Sequence, residues 1–167
     1  MDARETPEAE RHVVLVAPEI HWNTGNIGRT CLAAGARLHL VRPLGFSLAS
    51  REVRRAGLDY WEAVSLAVWD DFEAFLAAAR PAESEVALFS ARGPRSYLSM
   101  APADRMFLVF GSETKGLPAA LLARYPESVY HIPIRRPVRS LNLSTAVGIA
   151  LYESLRAAPP FQNRADG

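Results

Sequence analysis

A single cysteine, Cys31, leaves this chain without the means for an internal disulfide framework. No apolar run approaches the roughly 20 residues that a membrane-spanning helix needs. Charge of one sign is lacking too, since 19 Lys and Arg against 18 Asp and Glu give a formal net charge of +1. The overall balance therefore demands no polyanionic partner, and an RNA-binding surface would have to come from local clusters of arginine. The four histidines, His12, His21, His39 and His131, are scattered without metal-ligand spacing, so no metal site is expected. Met1 to Arg11 is charged and has no apolar h-region, which reads as a short disordered tail before a cytoplasmic domain and not as a signal peptide.

What the chain does have is hydrophobic sequence in short runs. With 49% hydrophobic content in 167 residues it is long enough for one domain with a full core, and short for two. That domain is expected over residues 12–158, between tails 1–11 and 159–167. His12 to Ala17 suits a strand buried on both faces, Arg37 to Val41 a second, and Val86 to Phe89 and Met106 to Phe110 two central ones. Val64 to Val68 and Val129 to Ile132 complete the strands. The spacing predicts a small-residue helix over Asn26 to Ala34 ended by Gly35, and a short basic turn capped by Ser50 and carrying Arg51, Arg54 and Arg55. An amphipathic helix follows on Phe72, Phe75, Leu76 and Ala79, with Asp70 and Glu73 as its capping box. A short helix over Ala119 to Arg124 and a C-terminal helix over Leu143 to Arg156, stopped by Pro159-Pro160, come last. Strands alternating with helices imply an α/β domain with a mostly parallel sheet flanked by helices.

Three polar segments follow strands, at the end of an open α/β sheet where ligands sit. Asn23-Thr-Gly-Asn-Ile-Gly-Arg29 is expected to lead into a helix N-terminus and offer backbone N–H groups to an anion; its plain alternative is a tight turn. Gly111-Ser-Glu-Thr-Lys-Gly116-Leu-Pro118 has paired glycines that let a ligand approach the backbone, with Glu113 and Lys115 of opposite charge at a strand end, but it lacks the spacing of a P-loop. Arg135-Arg-Pro-Val-Arg139-Ser140-Leu141-Asn142-Leu-Ser144 sets three arginines beside a helix start, where a phosphate could sit and where the polar residues could equally act as caps. A solvated charge run is the bland reading of those arginines.

Together with Arg54-Arg-Ala-Gly-Leu-Asp-Tyr60, these segments resemble, in order, the motifs of the SPOUT superfamily of RNA methyltransferases, from about Val13 to Leu155. Within it, the short length and the Arg-Arg-Ala-Gly-Leu-Asp-Tyr segment are similar to the tRNA (cytidine/uridine-34-2′-O)-methyltransferase family. The resemblance implies a C-terminal deep trefoil knot, an exception to the usual absence of knots. It also implies a homodimer, the tRNA anticodon stem-loop as partner, and S-adenosylmethionine as cofactor, with S-adenosylhomocysteine as product. By the same resemblance Phe89, Gly111, Glu113, Gly116, Ile132, Ser140, Leu141 and Asn142 would hold the cofactor. Arg29, Ser144 and Asn142 would carry catalysis, and Asn23, Arg29, Arg54, Arg55, Arg139 and Tyr152 would meet RNA. Departures from the family pattern are Ile20-His-Trp-Asn23, in place of a proline-rich approach, and the added basic pair Arg135-Arg136.

The chemistry suits these residue types. A sulfonium methyl is already activated, so the protein has only to align a ribose 2′-oxygen, here that of the wobble nucleotide 34, and assist loss of its proton. An arginine with a pKa above about 12 is a poor base, so Arg29 is expected to stabilise the developing alkoxide or fix a neighbouring phosphate. Other readings are methylation at another tRNA or rRNA position, an NADPH-dependent oxidoreductase, and an RNA-binding module without catalysis. The oxidoreductase draws on the strand-turn-helix start and Arg42, though the full Gly-x-Gly-x-x-Gly spacing is missing. The RNA-binding module draws on the arginine clusters and on Trp22, Tyr60 and Trp61 as stacking surfaces, residues that also suit a core or an interface. Cys31 reads as a small packed residue.

Overall fold

In the computed structural model, which describes residues 9–48 and 58–156, the apolar runs become strands. These are β1 (Glu10–Val16), β2 (Arg37–Val41), β3 (Leu66–Trp69), β4 (Val86–Phe89), β5 (Arg95–Ser96), β6 (Arg105–Phe110) and β7 (Val129–His131). They form one seven-stranded sheet in the order β3-β2-β1-β6-β4-β7-β5, and each of these pairings is parallel. The helices are α1 (His21–Ala33), α2 (Phe72–Ala79), α3 (Ala119–Arg124) and α4 (Leu143–Leu155). Among the described residues, no helix is long and apolar enough to cross a membrane.

A parallel sheet covered on both faces needs apolar residues at successive positions, and β1 supplies them. Val13 and Leu15 pack with Ile27 and Cys31 of α1 and with Val147 and Leu151 of α4. Val14 and Val16 point to the other face, toward Phe75 of α2 and Leu121 of α3. Cys31 is fully buried, and burial pushes its thiol up to about 12, which fits a packing role.

The structure moves several expected boundaries. The first helix begins at His21, five residues before the expected Asn26, so the Asn23 to Arg29 segment lies inside α1. Asp71 takes the N-cap of α2, accepting from the Ala74 N–H at 2.7 Å, while Glu73 pairs with Arg124 at 2.5 Å; the expected box of Asp70 and Glu73 is one residue out of register. The third strand is shifted to Leu66–Trp69, and a two-residue strand, Arg95–Ser96, pairs beside β7. The basic turn expected at Ser50, with Arg51, Arg54 and Arg55, lies outside the described residues.

Strand β1 starts at Glu10 because Arg11, only 3% exposed, belongs to the interior. Its Nε donates to Ser154 Oγ at 3.0 Å and a terminal nitrogen to the Ser154 carbonyl at 2.7 Å, while the other reaches the carbonyls of Glu10 and Asp104. Burial lowers its pKa, opposed by nearby Asp104. A cation at the last turn of α4 also complements the helix dipole.

Two of the scattered histidines meet across β1 and β2. The Trp69 indole can only donate, so His39 Nδ1 accepts from it at 3.1 Å. His39 Nε2 then donates to His12 Nδ1 at 2.8 Å, and His12 Nε2 donates to Glu10 Oε1 at 2.7 Å. This one-way relay requires both rings to be neutral. Burial, with His12 and Arg37 adding, pushes His39 down from 6.5 to about 3. A folded-state pKa held below the unfolded value contributes stability that is present above pH 6.5 and drains as pH falls toward 3. Urea midpoints measured from pH 7.5 to 4 should therefore fall with acid in the wild type. His39→Phe should be less stable at pH 7.5, because Trp69 Nε1 and His12 Nδ1 lose their partner, yet decline less steeply; an equal slope would clear His39 of this role.

Candidate functional site

A cavity of about 720 Å³ opens beside the C-terminal ends of β4, β6 and β7. It brings together Phe89, Gly111, Glu113, Gly116, Ile132, Ser140, Leu141 and Asn142, the residues expected around a cofactor, and also Asn23. Phe89 stacks on Phe110 with centroids 4.7 Å apart, which makes a flat apolar floor. The segment after β4 is tied to β7 by the Ser90 N–H to the Tyr130 carbonyl and by His131 Nδ1 to the Gly93 carbonyl, at 2.9 and 2.8 Å.

The turn after β6 is closed by paired backbone bonds between Ser112 and Gly116, with Gly116 at φ +68°, a conformation glycine adopts without strain. A Cβ on Gly111 would lie 1.9 Å from the Gly116 carbonyl carbon. The expectation that this glycine lets a ligand approach the backbone is thus corrected at Gly111: the turn's own backbone fills the space a side chain would take.

Glu113 has a structural task as well as a place on the cavity wall. Helix α1 has no side-chain cap at Ile20. The Glu113 carboxylate instead accepts from the Glu19 and Ile20 N–H groups at 2.7 and 3.1 Å, and from Asn23 Nδ2 at 3.0 Å. Glu19 reciprocates, accepting from the Thr114 N–H and hydroxyl at 3.1 and 2.8 Å. The N–H groups of Glu19 and Ile20, which lead into α1, are thereby engaged, and Asn23, Asn26 and Arg29 form a side-chain stripe at helical spacing where a backbone anion cradle was expected.

A directed hydrogen-bond chain links that stripe to α4. Asn26 Nδ2 donates to Ser144 Oγ at 2.9 Å, Ser144 Oγ to Asn142 Oδ1 at 2.7 Å, Asn142 Nδ2 to Asn23 Oδ1 at 3.0 Å, and Asn23 Nδ2 to Glu113. Asn142 is also the N-cap of α4, accepting from the Ser144 and Thr145 N–H groups. Arg29 is exposed, one turn beyond Asn26, with its guanidinium over the Tyr60 ring. Arg139 is exposed just before Ser140, and Tyr152 is half exposed two turns down α4 from Ser144; neither lines the cavity. Arg54 and Arg55 lie outside the described residues. Asn26 and Glu19 were missed as site residues. The helical spacing of Asn26 between Asn23 and Arg29 was the available signal, whereas nothing local marked Glu19.

This arrangement belongs to a known class of fold and site: the chain is a member of the SpoU rRNA Methylase family, which matches it over residues 10–152. It is 47% identical over 148 residues to a tRNA (cytidine(34)-2'-O)-methyltransferase of Burkholderia cenocepacia strain HI2424, covering 88% of this chain and 95% of that protein. A solved structure described as giving insights into the 2-OH methylation of C/U34 on tRNA is 49% identical with a TM-score of 0.83, covering 90% of this chain and 96% of that one. An AdoMet-bound rRNA methyltransferase from Sinorhizobium meliloti is 32% identical with a TM-score of 0.80, covering 89% of this chain and 57% of that one.

Replacing Glu113 separates capping from ligand binding. In Glu113→Gln an amide N–H group would face one of the N–H donors that the carboxylate now accepts. The variant should lose about 1–3 kcal/mol of stability, with faster hydrogen exchange at the Glu19 and Ile20 amides before any ligand is added. Unchanged exchange at both amides would remove the capping role.

Proposed function

We propose that this protein transfers the methyl group of S-adenosylmethionine to the ribose 2′-hydroxyl of nucleotide 34 in tRNA. The observation that carries the reading is the cavity at the strand ends, joined by the asparagine and serine chain to the α1 face that bears Arg29. Its volume of about 720 Å³ falls within the range of about 300–1,000 Å³ usual for small-molecule sites. The residues fit the cofactor: Phe89, Ile132 and Leu141 offer apolar surface for a purine, while Ser140, Asn142 and the backbone of 111–116 offer polar partners for ribose and amino acid. The bound cofactor supplies a methyl already activated by its sulfonium.

The chain's own residues supply placement and charge. Arg29 directs N–H donors at the attacking 2′-oxygen or its neighbouring phosphate, stabilising negative charge as it develops. Asn23, Asn142 and Ser144 keep α1 in register with the segment that enters α4. We assign RNA contacts to Arg139 and Tyr152, both exposed, and also to Arg54 and Arg55, which lie outside the described residues.

The reading includes a homodimer and a knotted C-terminal segment. Support for the dimer is the exposure of Trp22 (58%) on α1, a large apolar side chain left uncovered. Support for the knot is that residues 140–142, entering α4, share one cavity with the turn after β6. Light scattering that found only an active monomer would exclude the dimer.

Mapping ribose methylation in tRNA from cells with and without the protein tests the reaction, and loss at a nucleotide other than 34 would overturn the assigned position. Within that reaction, Arg29→Ala should lower the single-turnover rate by about 10²- to 10³-fold with cofactor affinity by calorimetry unchanged. Arg29→Lys should recover only part, because a point charge does not reproduce the planar fork. An unaltered rate in the alanine variant would take Arg29 out of the chemical step.

A further inference from the structure

The 3-10 helix Leu58–Ala63 packs against α1 through consecutive residues on each element. A Cβ at Gly28 would lie 2.8 Å from Trp61 Cζ3, 3.2 Å from Cε3 and 3.4 Å from Val64 Cγ2, so the Trp61 ring occupies the room a side chain would need. The Trp61 carbonyl in turn accepts from the Val64 N–H at 3.2 Å, which closes the end of the turn. One residue back from Trp61 is Tyr60, and one residue on from Gly28 is Arg29. The guanidinium carbon of Arg29 stands 5.3 Å from the centroid of the Tyr60 ring.

The kind of contact matters as much as its presence. A carboxylate partner would occupy the N–H donors of Arg29 and neutralise its charge. An aromatic face attracts the cation through its quadrupole and leaves the N–H edge free. Among the described residues, the Tyr60 ring is the one partner recorded for this guanidinium. An exposed arginine otherwise samples many rotamers, and ordering it costs free energy each time substrate binds. A ring held by a backbone-close lock removes part of that cost beforehand.

We propose that Tyr60 is a positioning residue for Arg29, held in place by the packing of Trp61 on Gly28, and that it presents the guanidinium edge to the reacting ribose and its phosphate. This rests on the assignment of Arg29 to methyl transfer. It gives the Arg54 to Tyr60 segment a part in the reaction through its last residue, as a support for a cation and not as a stacking surface for a base.

The test uses Tyr60→Leu, Tyr60→Phe, Arg29→Ala and the Tyr60→Leu, Arg29→Ala double variant in single-turnover methyl transfer at saturating tRNA and S-adenosylmethionine. Tyr60→Leu should lower the rate about fivefold, the equivalent of one exposed cation–π contact of ~1 kcal/mol, with cofactor affinity and melting temperature unchanged. Tyr60→Phe, which keeps the ring, should recover the rate. In the Arg29→Ala background Tyr60→Leu should have no further effect, since the two act as a unit. The Arg29 Nε–H proton resonance, shifted upfield by the ring in the wild type, should return toward its free value in Tyr60→Leu and stay shifted in Tyr60→Phe. A rate lost in Arg29→Ala but kept in Tyr60→Leu would overturn the positioning role alone, as would an equal loss of about fivefold from Tyr60→Leu with and without Arg29. A wild-type rate in Arg29→Ala would overturn the Arg29 assignment and the positioning role with it.

Discussion

Helix α1 begins without a side-chain cap, and the carboxylate that holds the backbone leading into it comes from Glu113, 94 residues further along the chain from Glu19. That long-range bond fixes the helix start against the turn after β6, and Glu19 returns the favour to Thr114. An unpaired helix terminus in a partly buried place is costly, so the two segments hold each other in one geometry. The cavity wall and the Asn23, Asn26 and Arg29 stripe both follow from it.

Helix α4 is held at both ends by a different pair of contacts. Asn142 caps its N-terminus while donating to Asn23, so the start of α4 is tied to α1. Arg11 takes the Ser154 carbonyl and hydroxyl at the other end, so the same helix is tied to the first strand. Between these anchors Val147 and Leu151 fill the core against Val13 and Leu15. Residues at the start of α4 thus lie on a rigid element, as a site that must align a ribose with a cofactor requires.

The relay from Trp69 through His39 and His12 to Glu10 involves the opposite, N-terminal end of β1. It spans three adjacent strands, and its two histidines are neutral, which suits rings packed against Phe75 and Phe107. The strand ends that frame the cavity keep exposed charged residues, Lys115 and Arg92, whereas this end buries a neutral histidine pair beside the exposed Glu10 and Arg37.

The sequence by itself determined six of the seven strands of the sheet, all but Arg95–Ser96, and the two-sided core, because apolar runs are local signals read from neighbouring residues. Phe89, Gly111, Ile132 and Ser140 were marked by the resemblance of their segments to SPOUT motifs, which are themselves contiguous stretches of sequence. Where α1 begins, what Gly111 makes room for and which partners meet His39 were decided only in the tertiary structure. An apolar-periodicity reading starts the first helix at Asn26, because His21 to Gly25 offers neither a cap nor an amphipathic pattern. The carboxylate that holds the approach to this helix is that of Glu113, whose distance along the chain hides it from any local window. Gly111 faces the backbone of Gly116, and His39 faces a histidine 27 residues away, across the gap between neighbouring strands. Hydrogen-bond partners and close approaches of this kind depend on register between distant segments, which local sequence pattern does not encode.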